Sequence, residues 1–260
     1  MREAKGEYMT FLDSDDWLED DAVEILLDAQ MKHPDKLIFA HYYRVQTDGT
    51  KTIANPKISQ DAFLDIHDVA LDYCGVKSAG AGAHSSCAKI YSSDVIANSI
   101  DFPEGIAYSE DAVFVIKYLY RVNGIYFVNK PVYDVFSRSG SAIRSSYRPV
   151  MLQSQIDAYD ILINLPENTP EIKKLMSISR TVFLMTYITW AFTRYMNGIG
   201  EKEIAEIRNF VRPYAYEFLS FQSISFRRKI SFLVGMYAPL WLGYGIFFCW
   251  NIVKGIIDRK

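Results

Sequence analysis

Three carboxylates occupy four consecutive positions in the stretch Tyr8-Met9-Thr10-Phe11-Leu12-Asp13-Ser14-Asp15-Asp16-Trp17, at the end of an apolar run. The run itself reads as a short buried strand, being aromatic and aliphatic and bounded by polar residues. Strand packing accounts for none of Asp13, Asp15 and Asp16. Acids this crowded repel one another unless a cation sits among them, and magnesium or manganese takes oxygen ligands of this kind. In an open α/β sheet, ligands lie in the crevice beyond the carboxyl ends of the strands, where these acids are expected. The pattern therefore suggests a metal–diphosphate site.

Other uses of the same residues compete with that reading. Asp16 could cap a following helix, and Asp13 and Asp15 could close a tight turn. An EF-hand loop is excluded, because Trp17 and Leu18 stand where an oxygen ligand and a glycine would be needed. A haloacid dehalogenase-type phosphatase also places two acids one residue apart after an apolar strand. It usually has Thr or Val two residues past the second acid, where this chain has Trp17.

A second acidic group, Glu110-Asp111, stands at the start of an apolar helix. First-turn acids stabilise many helices by facing the positive end of the macrodipole. This pair also follows the turn-rich Asp101-Phe102-Pro103-Glu104-Gly105-Ile106 segment, about a hundred residues after the first acids. Intervening strands and a helix would let it return to the same crevice from another element.

The elements that must position these groups can be read in order. Glu19, Asp20, Asp21 and Glu24 crowd a helix start, with Val23, Leu26, Leu27 and Met31 as its buried stripe and Pro34 as its end. Lys36 to Val45 reads as a central strand, Asp48-Gly49 as a hairpin turn and Thr50 to Ala54 as the return strand. Asp61 to Tyr73 is expected to be helical. Gly75 to Gly82 is a small-residue loop, Ser86 to Tyr91 a short strand, and Ala112 to Tyr120 a core helix. Ile125 to Val128 and Val132 to Phe136 read as two strands, followed by the polar loop Arg138-Ser139-Gly140-Ser141.

From about residue 150 the period is helical throughout, with helices expected to Pro166, over Ile172 to Tyr195 and over Glu201 to Phe221. Ile230 to Val253 is 24 residues without a formal charge, flanked by Arg227-Arg228-Lys229 and Lys254. At about 1.5 Å per residue it would span a bilayer if helical. Gly235, Pro239, Gly243 and Gly245 interrupt it, and Trp241, Tyr244 and Trp250 resemble interfacial anchors. An in-plane or re-entrant membrane segment is the expectation, with a buried hairpin as the alternative.

Composition bounds these readings. The chain has 260 residues, half of them hydrophobic and 15% aromatic, which excludes disorder and permits a sizeable core. Cys74, Cys87 and Cys249 form neither a zinc pattern nor a disulfide framework, so a reducing cytoplasm is expected. Met1 to Gly6 contain no apolar signal-peptide core. Residues 1–150 carry 15 Lys+Arg against 22 Asp+Glu, a balance of −7; residues 151–260 carry 13 against 9, a balance of +4. The basic half also holds the longest apolar run, which favours a membrane surface over nucleic acid as partner.

Taken together, these motifs resemble glycosyltransferase family 2, the inverting enzymes with a GT-A fold. The resembling residues are Ala4-Lys5-Gly6-Glu7-Tyr8 leading into Phe11-Leu12-Asp13-Ser14-Asp15-Asp16-Trp17, the Cys87-Ala88-Lys89-Ile90-Tyr91 element, Phe102-Pro103-Glu104-Gly105 with Glu110-Asp111, and Gly140-Ser141 after Tyr133. They cover about residues 2–145 in the family's order. The resemblance implies a truncated GT-A, Rossmann-like mixed sheet over residues 1–148; the helical period and the uncharged run 230–253 add a helical, membrane-suited extension over 149–260. It implies that Asp13, Ser14 and Asp15 bind the cofactor, with Asp13 and Asp15 on a divalent metal, magnesium or manganese. It further implies Asp111 as general base with Glu110 beside it and a nucleotide-sugar donor; the membrane-suited tail adds the expectation of a glycan or lipid-linked acceptor. Arg138 and Arg144 are candidate phosphate contacts.

In that family the first strands, which supply the acid that recognises the nucleotide base, precede the matching stretch. Here Met1 stands almost on the metal strand, so a shortened sheet with an exposed apolar edge is expected. Two alternatives remain on sequence grounds. One is a catalytically inactive remnant that binds a membrane or partner through residues 172–257, and the other is metal-dependent phosphatase chemistry.

Overall fold

The computed structural model describes residues 1, 3–54, 59–75, 84–97, 100–136, 148–193, 200–239, 241–243 and 245–246. In chain order the first half runs β1 (Tyr8–Met9), β2 (Trp17–Leu18), α1 (Ala22–Lys32), β3 (Leu37–Val45), β4 (Lys51–Ile53), β5 (Ala62–Leu64), α2 (Ile66–Tyr73), β6 (Lys89–Ser92), α3 (Ser93–Ala97), α4 (Glu110–Leu119) and β7 (Ile125–Phe136). The second half is helical: α5 (Pro149–Ile163), α6 (Pro170–Thr193), α7 (Glu201–Val211), α8 (Ala215–Ser220) and α9 (Phe226–Tyr237).

The strands form one mixed sheet in the order β1-β6-β3-β7-β2, with β4 on β3 and β5 on β7. Its centre is the parallel pair β3–β7, in register from Leu37 opposite Ile125 to Val45 opposite Phe136. Leu37, Ile38, Phe39 and Ala40 are all buried, as a near-continuous apolar run in a central strand requires. Ile125 to Phe136 is one twelve-residue strand rather than two. Asn129-Lys130-Pro131 interrupts its apolar pattern without ending it, and the register with β3 shifts at His41, which absorbs the irregularity.

Other expectations also needed revision. Asp61 to Tyr73 is not one helix: Ala62–Leu64 pairs with β7, and the helix begins at Ile66. The reason is local, because Asp65 accepts from the Asp68 N–H at 2.8 Å while the Asp68 carboxylate accepts from the Asp65 N–H, a reciprocal capping box. In α1 only Leu26 of the proposed stripe is buried; Val23, Leu27 and Met31 are exposed. These three join Tyr8, Met9 and Ile90 along an apolar groove of about 380 Å³ beside the edge strand β1. The expected helix Glu201 to Phe221 is broken by Pro213 into α7, a 3-10 turn at Arg212–Tyr214, and α8.

The helical half packs onto the sheet through α4, which is buried from Ala112 to Ile116 without a break. Arg180 is buried between Asp160, at 2.5 Å, and the face of Tyr214, 4.3 Å from the ring centroid, joining α5, α6 and the 3-10 turn. Among the described residues no helix is long and apolar enough to cross a membrane. Within the uncharged run, α9 ends at Tyr237 ahead of Pro239, and residues 247–253 lie outside the described residues. Arg138, Gly140, Ser141, Arg144, most of the Gly75 to Gly82 loop, and Tyr244 and Trp250 also lie outside them.

Candidate active site

Asp13 follows Phe11, whose ring packs edge-on against Tyr91, Phe102 and Phe114 at 5.4 Å each. That aromatic anchor fixes where the acidic turn leaves the sheet. The Asp16 N–H donates to the Asp13 carbonyl at 3.1 Å and closes a tight turn, as one reading of these residues expected. Asp16 does not cap a helix. Its carboxylate accepts from the Phe136 N–H at 2.9 Å and so pins the end of β7, while β2 runs on directly from it.

The main-chain N–H of Asp13 donates to the buried Tyr133 hydroxyl at 3.0 Å, so strand β7 holds the turn from beneath. Tyr133 in turn bonds the Cys87 thiol, which hydrogen-bonds the Asp13 carboxyl. Partial burial raises the Asp13 pKa, and the negative charges of Asp16, Asp111 and Asp15 raise it further. Asp111 is thus close enough to Asp13 for the two carboxylates to interact, although about a hundred residues separate them.

Asp111 sits in the first turn of α4, preceded by Ser109 in the left-handed region at φ 67°. Its Oδ2 accepts from the Ser86 N–H at 3.2 Å. Burial raises the Glu110 pKa, with Asp111 and Asp13 adding to the effect. The acids predicted from two distant motifs therefore form one electrostatically coupled group. Ala88, also left-handed at φ 56°, lies next to the turn that binds Asp111. Two non-glycine residues held in this sparsely populated conformation flank the same site.

A cavity of about 320 Å³ opens on Asp13 and Asp16, and Tyr42, Arg44, Ser85 and Lys89 contribute to its lining. Arg44 and Lys89 escaped the sequence reading. Arg44 is an ordinary charged residue near the end of a strand, and only the pairing of β3 with β7 carries it to the acids. Lys89 stood inside a recognised motif, but its burial is a tertiary fact. Its ammonium is fully buried, donates to the Ser85 carbonyl at 2.6 Å and the Cys87 carbonyl at 3.2 Å, and lies 4.1 Å from the centroid of the Phe39 ring. Desolvation lowers its pKa to about 7. His84 also lines this cavity; burial lowers its pKa to about 3, so it is neutral.

His84 is shared with a second cavity of about 310 Å³, lined also by Tyr108, Ser109, Gln155, Phe183 and Tyr187. This cavity joins α5 and α6 to the residue that immediately precedes Glu110-Asp111. The Gln155 side-chain carbonyl is buried and has no hydrogen-bond partner among the described residues.

The donor chemistry at the acidic turn suits a hard cation. Asp13 and Asp15 offer carboxylate oxygens, and the like charges that raise the Asp13 pKa are those a cation would offset. Among the described residues no group of three or more His, Cys, Asp or Glu side chains converges as a complete ligand set. Diphosphate and water oxygens would have to complete the coordination of such an ion, as is usual for magnesium.

The Glycosyl transferase family 2 model matches residues 1–76. No curated protein sequence matches the chain. Among solved structures, S. aureus TarS 1-349 in complex with UDP-GlcNAc aligns with a TM-score of 0.58 at 18% identity, over 84% of this chain and 59% of that one. TarS 1-349 in complex with UDP aligns at 0.57 and 15% identity, over 96% of this chain and 68% of that one. The chain thus spans about three-fifths of the TarS 1-349 chain with UDP-GlcNAc, and at these identities the likeness is one of fold. Residues 1–76, which include the acidic turn, are thus similar to glycosyltransferase family 2, and they lie on a mixed α/β fold similar to that of a GT-A glycosyltransferase.

Proposed function

We propose that the protein transfers a sugar from a nucleotide-diphosphate donor to a glycan or lipid-linked acceptor, with inversion, at the cytoplasmic face of a membrane. The observation that carries this reading is the electrostatic coupling of Asp13 with Asp111 beside a cavity containing Arg44. TarS, which shares the fold, binds UDP-GlcNAc and UDP, and a uridine-type donor is the first to test here.

Asp13 and Asp15 would hold a divalent cation, magnesium or manganese, with Ser14 between them at the donor. When bound, such an ion offsets the charge that builds on the departing diphosphate. Arg44 adds a guanidinium whose planar donors suit phosphate oxygens. Asp111 acts as general base. Its Oδ2 is held by the Ser86 N–H, and the carboxylate takes the proton from the acceptor hydroxyl as that oxygen attacks the anomeric carbon. The bond from that carbon to the diphosphate oxygen breaks, and the nucleotide diphosphate leaves. Glu110, whose raised pKa makes it easier to protonate than a free glutamate, stands beside the base.

The acceptor is assigned to the cavity of Tyr108, Gln155 and Tyr187. It adjoins the base-bearing turn, offers aromatic faces to a sugar ring, and presents an unsatisfied carbonyl to a hydroxyl. Calorimetric titration of the chain with UDP and UDP-GlcNAc, with and without manganese, tests the donor half. Cation-dependent binding that Asp13→Asn and Asp15→Asn remove is expected. Binding of neither nucleotide, with or without the ion, would favour the alternative of an inactive, partner-binding remnant.

A further inference from the structure

The face of α9 that points away from the protein carries Phe226, Ile230, Leu233 and Tyr237, all exposed. At about 100° per residue these four fall within a sector of about 60°. Phe226 is 79% exposed, Tyr237 61%, and Trp241, just beyond Pro239, 74%. Isolated exposed apolar residues need no explanation, but a continuous apolar stripe along one helix does. Arg227 and Lys229 stand about 70–90° to either side of it on the same helical wheel. No acidic residue lies between Glu217 and Asp258.

The opposite side of α9 is fastened down. Phe232 and Met236 are buried, and a Cβ on Gly235 would lie 2.5 Å from the Met185 methyl, so the helix lies directly on α6. Arg228 donates to the carbonyls of Cys74 at 2.9 Å and Gly75 at 2.7 Å, tying the start of α9 to the end of α2. Arg208 donates to the carbonyls of Gly235 at 2.8 Å and Ala238 at 2.6 Å, tying its end to α7. The stripe is therefore presented on a helix clamped at both ends.

We propose that this face docks the protein in the plane of an anionic lipid bilayer. Phe226, Ile230, Leu233, Tyr237 and Trp241 would enter the headgroup–acyl boundary, while Arg227 and Lys229 reach to anionic headgroups on either side. Charge selects this occupant over a second copy of the chain. Two copies meeting through the stripe would set the cations Arg227 and Lys229 of one against those of the other. The biological setting rests on the proposed glycosyl transfer, but the lipid contact itself needs none of the catalytic residues.

Flotation of the full chain tests this, with vesicles of phosphatidylcholine alone and of phosphatidylcholine mixed with phosphatidylglycerol. The wild type is expected to float with the anionic vesicles, and less so as salt is raised. Phe226→Ser with Trp241→Ser should lower that partitioning at least about tenfold. Arg227→Gln with Lys229→Gln should lower it about fivefold per cation on anionic vesicles and leave the weak binding to neutral ones unchanged. All four substitutions lie on exposed or flanking positions, and circular dichroism would check that the fold is kept. Equal partitioning of wild type and both variants would overturn the proposal. So would self-association through this face without lipid binding. UDP-GlcNAc titration of the same variants separates the two readings: lipid binding without donor binding strikes only the enzymatic reading, and the converse strikes only the docking surface.

Discussion

The Ser86 main-chain N–H donates to the Asp111 carboxylate at 3.2 Å, joining the turn before β6 to the first turn of α4. That bond fixes one oxygen of the carboxylate and leaves the other for a proton. Asp111→Asn preserves an acceptor for Ser86 but removes the base. Transfer is expected to fall about 10²–10⁴-fold, with nucleotide binding and thermal stability near wild type. Unimpaired turnover in this variant would remove Asp111 from the role of base.

Asp13 shows the opposite division between stability and activity. Its pKa is raised by burial first and then by Asp16, Asp111 and Asp15. A carboxyl whose folded pKa lies above its unfolded value costs stability at neutral pH, and that cost disappears as pH falls and the folded state takes up its proton first. Asp13→Asn should therefore melt slightly higher than wild type at pH 7, by about 1–2 °C for a solvent-accessible site. The gain should vanish at a pH below the ordinary carboxylate range, while cation-dependent nucleotide binding is lost at every pH. Parallel scanning calorimetry at the two pH values checks the sign.

Lys89 braces the turn that holds Asp111. Its ammonium bridges the carbonyls of Ser85 and Cys87 on either side of Ser86, and Tyr91 adds a bond from its hydroxyl to the Ser86 carbonyl at 2.9 Å. Lys89→Met removes the bridge but keeps most of the volume, so kcat should fall more than donor affinity. The linkage runs the other way from that of Asp13. A lysine whose folded pKa is lowered to about 7 leaves the unfolded chain holding the extra proton between about pH 7 and its ordinary value, so wild-type stability rises with pH across that window. Urea unfolding of wild type and variant at pH 7 and pH 9.5 should show the difference moving in favour of wild type at the higher pH.

Much of this site could be read from residue types, and the remainder depended on pairing. Asp13 and Asp15 stood out because carboxylates crowded at the end of an apolar run have no use in packing, whereas Glu110-Asp111, at a helix start, stood out only through its place after the Gly/Pro turn and through the family resemblance. Lys36 to Val45 was legible because a central parallel strand is apolar on both faces. Arg44 and Lys89 were not, since nothing local distinguishes a strand arginine or a motif lysine from a solvated one. The error over Asp61 to Tyr73 was avoidable. Asp65 and Asp68 spell a capping box, and Ala62 to Leu64 before it had only tertiary pairing with β7 to show that it was a strand. Asp65→Ala should cost about 1 kcal/mol in chemical denaturation without altering nucleotide binding.

Gln155 offers a test that divides the site along the boundary between the sheet and the helical half. Its side-chain carbonyl is buried in the cavity beside Ser109 without a partner among the described residues, and an unpaired buried acceptor costs about 1–3 kcal/mol. If that carbonyl awaits an acceptor hydroxyl, Gln155→Leu should stabilise the free protein by about 1 kcal/mol. It should also weaken use of the acceptor, leaving slow hydrolysis of the donor by water untouched. A residue placed only for packing would change stability without separating transfer from hydrolysis. Loss of both in equal measure would move the acceptor out of this cavity. The ratio of sugar transferred to sugar released as free hexose, measured for wild type and variant at one donor concentration, distinguishes these outcomes.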